Sequence, residues 1–148
     1  MYDNILLPTD GSDGTDRIVE HALHIAREND ATLHVLHVVN TSVVPLDAHS
    51  RAIYDEMEAA GRSSVDEIRD QANDAGVHAI DDLRHGTPHS EILDYSQEHD
   101  IDLIVLGTHG RGGVSRALLG SVAERVVRLS EAPVLTVRTV PLERESIR

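Results

Sequence analysis

The sequence predicts a single α/β domain: an open, five-stranded parallel sheet with helices on both faces. Three observations predict it. Apolar runs alternate with segments of helical periodicity from one end of the chain to the other. Several of those runs are apolar on both faces, as strands buried under helices must be. The length, 148 residues, suits one core and is tight for two.

The first apolar run lies in YDNILLPTD and reads as a strand. From Ser12 the pattern changes to Ile18, Val19, Ala22, Leu23, Ile25 and Ala26, which has helical spacing and ends at Asn29-Asp30. ATLHVLHVV, Ala31 to Val39, is a second strand with no polar face. NTSVVPLDAHS, Asn40 to Ser50, is too irregular for an element, and then Ile53, Met57, Ala60, Ser64, Ile68, Ala72 and Ala75 mark a long helix ending near Gly76. In VHAIDDLRHG the acids Asp81 and Asp82 interrupt the third strand, which suits a sheet edge. Thr87 and Pro88 are an N-cap followed by proline at the first helical position, so HSEILDYSQEH is a helix. DIDLIVLG is a buried strand. After Gly120, Val122, Val126 and Leu129 define the last helix, and APVLTVRTV, Ala132 to Val140, the last strand. The domain is expected over residues 1–140, with 141–148 as a short tail.

The resulting βαβαβαβαβ string requires right-handed crossovers. In such sheets ligands sit beyond the C-terminal strand ends, where the strand order reverses. Pro8-Thr9-Asp10 after the first strand and Gly107 onward after the fourth are therefore the places for a site.

Gly107, Gly110 and Gly120-Ser121 have the spacing G-x2-G-x9-G-S. Glycine at 107 and 110 permits a sharp exit from a buried strand and a close approach to a ligand. Gly120 and Ser121 stand where a helix begins, with free N–H groups and the positive end of its dipole, a setting for an anion and for phosphate in particular. The other reading is that these are plain turn and helix-start residues. A P-loop is excluded because the chain has no lysine, and a dinucleotide fingerprint would follow the first strand with a different spacing.

Composition narrows the partners. The formal charge is −13, which opposes nucleic acids and anionic membranes, and all thirteen basic residues are arginine. An acidic surface without lysine, Phe or Trp resembles proteins that work in molar salt, or reflects a GC-rich genome. With no cysteine, disulfides and thiolate metal sites are out. Neither a membrane span nor a secretory signal is seen, and a cytoplasmic location is expected.

Ten histidines invite a metal site. His34 and His37 point to opposite faces of a strand and cannot share an ion. His21 and His24 share a helix face with Arg17 and Glu28, a solvated stripe. DGSDGTD lacks the glutamate a calcium loop needs at its twelfth position, where His21 stands. A phosphoacceptor receiver would need a lysine. No catalytic constellation can be assembled, Glu124 and Arg125 read as surface residues, and binding without efficient turnover is expected.

NILLPTDGSDGT, HGTPHSEILDYSQEHDIDLIVLGTHGRGG and LLGSVAERVVRLSEAPVLTVR resemble the nucleotide-binding branch of the universal stress protein family, whose ATP signature is G-x2-G-x9-G-[ST]. The likeness runs nearly end to end, with Asn40 to Ala79 the least similar part. It implies an adenine-nucleotide α-hydrolase-like fold, strand order 3-2-1-4-5, with ATP across the switch between strands 1 and 4. Pro8, Thr9 and Asp10 would line the nucleoside side, and Val38 or Val39 would meet adenine through backbone. Gly107, His109, Gly110, Arg111, Gly120, Ser121 and Val122 would hold ribose and phosphates. Ser121 has a hydroxyl suited to a phosphate oxygen or a bridging Mg²⁺, and Arg111 suits a terminal phosphate. Asp10 is assigned to the ribose or the metal, the alternative being a cap for the first helix shared with Ser12. The expectation is a homodimeric ATP-binding stress-response protein, joined through Val134, Leu135, Val137 and Val140 of the last strand, whose nucleotide state changes the surface offered to a protein partner. A slow ATPase or nucleotide-transferring enzyme and a nucleotide-free dimerisation module are the alternatives.

Overall fold

A computed structural model of the chain describes residues 1–10, 15–42, 47–109 and 119–139. Strands β1 (Asn4–Thr9), β2 (Thr32–Asn40), β3 (Ala79–Gly86), β4 (Leu103–Gly107) and β5 (Val134–Val137) form one sheet in the order β3-β2-β1-β4-β5. Every pairing is parallel. Between them run α1 (Thr15–Asn29), α2 (Arg51–Asp74), α3 (Pro88–Glu98) and α4 (Ser121–Leu129). A short 3-10 turn, Ala48–Ser50, precedes α2, and the Asp47 carboxylate accepts the Ser50 N–H at 3.0 Å.

Alternation along each strand divides the core in two. Ile5, Leu7, Leu33, Val35, Leu103 and Val105 pack under α1 and α2, against Ile18, Val19, Ala22, Val65, Ile68 and Ala72. Leu6, Leu36, Ile104 and Leu106 pack on the other face against Ile92, Tyr95, Ala123 and Val126 of α3 and α4. This two-sided cover is why the strands are apolar at successive positions.

Asp30 and Asp100 follow α1 and α3 in the left-handed conformation, both at φ 52, and Gly76 follows α2 at φ 76. Thr87 sits at the N-cap of α3 in an extended conformation with Pro88 in the first turn, but its hydroxyl makes no cap bond. Its carbonyl instead accepts the Glu91 N–H at 3.0 Å. Just before β4, the Asp102 carboxylate accepts the N–H groups of Asp3 and Asn4 at 2.7 and 2.8 Å.

The two rims of the sheet differ. On β3, Asp81 pairs with Arg69 of α2 at 3.0 Å, and Asp82 with Arg84 at 3.3 Å, which also reaches Glu98 of α3 at 2.6 Å. On β5 the described residues are Val134, Leu135, Thr136 and Val137, and Val140 lies outside the described residues. Val137 is buried in the chain's own core and Leu135 packs against that core, so the rim presents the backbone of Val134 and Thr136 rather than the side chains of 135 and 137.

Candidate functional site

The middle of the sheet opens at its C-terminal end. Pairing of β1 with β4 is confined to Ile5–Leu103 and Leu6–Ile104, although the strands continue to Thr9 and Gly107. The Asp102 N–H donates to the Asn4 carbonyl at 2.8 Å, so Asn4, and two and four residues on Leu6 and Pro8, turn their backbone toward β4. Pro8 has no N–H to give. The β1–β4 ladder therefore loses its donor at the point where the strand order reverses, which is where this kind of sheet holds ligands. On its other side β1 stays paired with β2 as far as Thr9–His37.

The β4 side of this crevice is anchored at Thr108. Its N–H donates to the Val137 carbonyl at 2.9 Å, its own carbonyl accepts the Gly120 N–H at 2.7 Å, and Thr139 N–H donates to its hydroxyl at 3.4 Å. The Thr108–Gly120 bond brings together the two ends of the glycine-rich segment. Gly110 and Arg111 lie outside the described residues. Gly120 is the extended N-cap of α4 (φ −63, ψ 161) with no side chain to satisfy the helix start. Its carbonyl accepts the Glu124 N–H at 2.9 Å, while the N–H groups of Ser121, Val122 and Ala123 have no acceptor within the helix. Ser121 is exposed and Val122 leans on the second core.

Gly107 has a different physical reason from the one its spacing suggested. It keeps strand geometry, and a Cβ there would lie 2.6 Å from Thr139 Cγ2 and 2.8 Å from Ile18 Cδ1. Packing beneath the site, not a turn, demands glycine. Next along, His109 is buried. Its Nδ1 is 3.1 Å from the Thr108 hydroxyl, and its carbonyl accepts from Thr139 Oγ1 at 3.1 Å. Its Nε2 is buried with no hydrogen-bond partner among the described residues. Leaving such an atom unsatisfied costs about 1–3 kcal/mol, so a partner is called for.

At the β1 side Thr9 is buried, with its hydroxyl 3.5 Å from Ser64 of α2, and Asp10 is half-buried just beyond the strand. Val38 packs on the α3/α4 face and Val39 is fully buried. Glu124 pairs with Arg128 on the exposed face of α4 at 2.9 Å. His34 and His37 do face opposite ways: His34 bonds Tyr95 of α3 at 2.7 Å, and His37 lies beside Gly61 of α2. No cluster of three or more His, Asp or Glu side chains among the described residues is placed to hold a metal. A cavity of about 390 Å³ lined by Tyr2, His24, Ile25, Glu28, Leu103 and Leu135 lies at the opposite, N-terminal end of the strands. Sequence reasoning passed over Thr108 and Thr139, whose bonds hold the site together, because nothing marks a threonine as an anchor before its partners are known.

The universal stress protein family model matches residues 1–138. The chain belongs to the universal stress protein family. Within that family it is 36% identical to universal stress protein MJ0531 of Methanocaldococcus jannaschii over 141 residues, 93% of this chain and 83% of the relative. The solved structure of MJ0577, a universal stress protein of the same archaeon, has a TM-score of 0.85 at 26% identity, covering 96% of this chain and 99% of that one. A universal stress protein solved in complex with cAMP has a TM-score of 0.68 at 28% identity, covering 94% and 98%. The five-stranded parallel sheet in the order above is the fold they share. No helix among the described residues is long and apolar enough to cross a membrane.

Proposed function

We propose that this protein binds an adenine nucleotide, ATP with Mg²⁺ being the expected form, across the open ends of β1 and β4, and acts as a nucleotide-dependent binding or signalling module in a stress response. The observation that carries this is the buried Nε2 of His109, which has no hydrogen-bond partner among the described residues, at the strand switch where α4 starts on Gly120, an N-cap without a side chain. An imidazole nitrogen and three helix N–H groups are the donor set a phosphate or ribose oxygen takes. The relative solved with cAMP supports an adenine nucleotide as the guest.

In this reading Pro8, Thr9 and Asp10 border the nucleoside, with backbone at Val38 or Val39 against adenine. Gly107 forms the floor, His109 and Gly110 meet ribose or phosphate, and Arg111 pairs with the terminal phosphate. Gly120, Ser121 and Val122 supply N–H groups, and the Ser121 hydroxyl and the Asp10 carboxylate are the groups that would hold a Mg²⁺, which would offset phosphate charge. Two copies join through the backbone edge of β5.

Gly120→Val tests it. A side chain at the helix start intrudes on the phosphate position, so ATP affinity measured by calorimetry in molar KCl should fall by roughly tenfold or more, about 1.4 kcal/mol, with the fold retained. Affinity equal to that of the parent would sink the nucleotide reading. Phosphate release followed in the same samples separates binding from multiple turnover.

A further inference from the structure

We infer that His37 is a positioning residue for this site: its Nδ1–H holds the Thr9–Asp10 peptide, and Gly61 of α2 braces its ring. The inference rests on the nucleotide reading for its consequence but not for its geometry. His37 stands beside Thr9 in the β1–β2 register, and its Nδ1 is 2.9 Å from the Thr9 carbonyl oxygen. A carbonyl only accepts, so Nδ1 carries the hydrogen. The Thr9 carbonyl and the Asp10 N–H belong to one planar unit, and holding the first sets the direction in which Asp10 leaves the strand.

The bond matters because of where it falls. Beyond Leu6, β1 has no ladder pairing with β4, so the sheet ladder at the end of the strand is made with β2. The His37 side chain adds a second hold there. The ring itself has little freedom. It is buried, and a Cβ on Gly61 would lie 2.2 Å from its Cδ2 and 2.6 Å from its Nε2. Glycine is a poor helix former, and the room this ring needs is a reason for one inside the 24-residue α2. One turn on, Ser64 reaches the Thr9 hydroxyl, so α2 touches the floor of the site at two points.

Two substitutions separate holding from filling. His37→Asn keeps an N–H near the Nδ1 position and vacates space against Gly61, whereas His37→Phe fills the space and has no donor. ATP affinity is measured by calorimetry in molar KCl, and the Asp10 amide ¹⁵N resonance is followed without nucleotide, since it reports hydrogen bonding to the Thr9 carbonyl in its own peptide. The Phe variant should bind ATP about tenfold more weakly and shift the Asp10 resonance, while the Asn variant, though less stable, should bind within about threefold of the parent. Gly61→Ala, which pushes the ring off Thr9, should behave like Phe and serves if Phe does not fold. A Phe variant with parental affinity and an unmoved Asp10 resonance overturns the inference, as does affinity that follows melting temperature across the variants. If the parent itself does not bind ATP, the nucleotide reading fails and the Asp10 resonance alone decides the role of His37.

Discussion

Acid should loosen the α3 face of the sheet through His34. The ring is buried, with Nε2 3.0 Å from Asn4 Oδ1 of β1 and Nδ1 2.7 Å from the Tyr95 hydroxyl of α3. Tyr95 stacks on His99 at 3.9 Å, and the Arg84 guanidinium, paired with Asp82 and Glu98, lies 4.9 Å from the Tyr95 ring centre. Burial first, then the charges of His99 and His78, lower the His34 pKa from 6.5 to about 4. Between those values the unfolded chain takes up a proton that the folded chain refuses. The stability contributed by neutral His34 is therefore complete above about pH 6.5 and is lost progressively as pH falls toward 4. Integrated down to about pH 5, the difference is about 2 kcal/mol. Urea unfolding in molar KCl at about pH 7.5 and about pH 5 would measure it, comparing the parent with His34→Gln, which keeps a donor and an acceptor but does not titrate. The parent should lose about 2 kcal/mol more than the variant over that interval. Losses equal to within about 0.5 kcal/mol would refute the assignment of the acid response to this ring.

At Gly107 an added methyl meets Thr139, a short side chain tied to His109. Gly107→Ala should therefore cost about 1–3 kcal/mol in a thermal melt, and an unchanged melting temperature would show that Thr139 yields. The dimer is best tested at Thr136. Pro133 and Val137 accept hydrogen bonds from β4, so Thr136, between them in the alternation, turns its N–H outward. Thr136→Pro should leave the fold intact and yield monomers by light scattering, and persistent dimers would rule out pairing along β5. Proline at Val137 would instead break the chain's own sheet. With a formal charge of −13, the melting temperature should climb from dilute buffer to molar KCl as screening shortens the repulsion from about 10 Å or more to about 3 Å. A flat curve would remove support for adaptation to high salt.

Where the chain declares its structure, it does so through patterns that burial enforces locally. The apolar runs in TLHVLHVV and DLIVL, the Asn29-Asp30 stop and Pro88 in the first turn of α3 all follow from backbone and hydrophobic rules acting within a few residues. Asp81 and Asp82 pointed to a sheet edge, and β3 is one. What stayed hidden depends on partners far apart in the chain. Gly107 is explained by Thr139 and Ile18, Gly61 by His37, and the end of the β1–β4 ladder by the direction in which Pro8 faces. None of these is a periodicity. The Gly61 position carried one signal, a glycine inside a helical pattern, whose meaning requires the neighbouring ring. The adenine contact at Val38 or Val39 came from family resemblance, since nothing in two valines distinguishes a ligand-facing backbone.

The ion-paired rim of β3 has a bearing on how far this protein can assemble. A parallel sheet with two bare edges could add chains at either end and grow into a filament, a hazard for any long-lived protein kept at high concentration. Here Asp81 with Arg69 and Asp82 with Arg84 set charged groups along one side, so an incoming strand would have to displace or bury them. If two copies pair along β5 about a two-fold axis, as proposed, that edge is consumed in both. The resulting ten-stranded arrangement would present charge at each extremity, and polymerisation would stop at two.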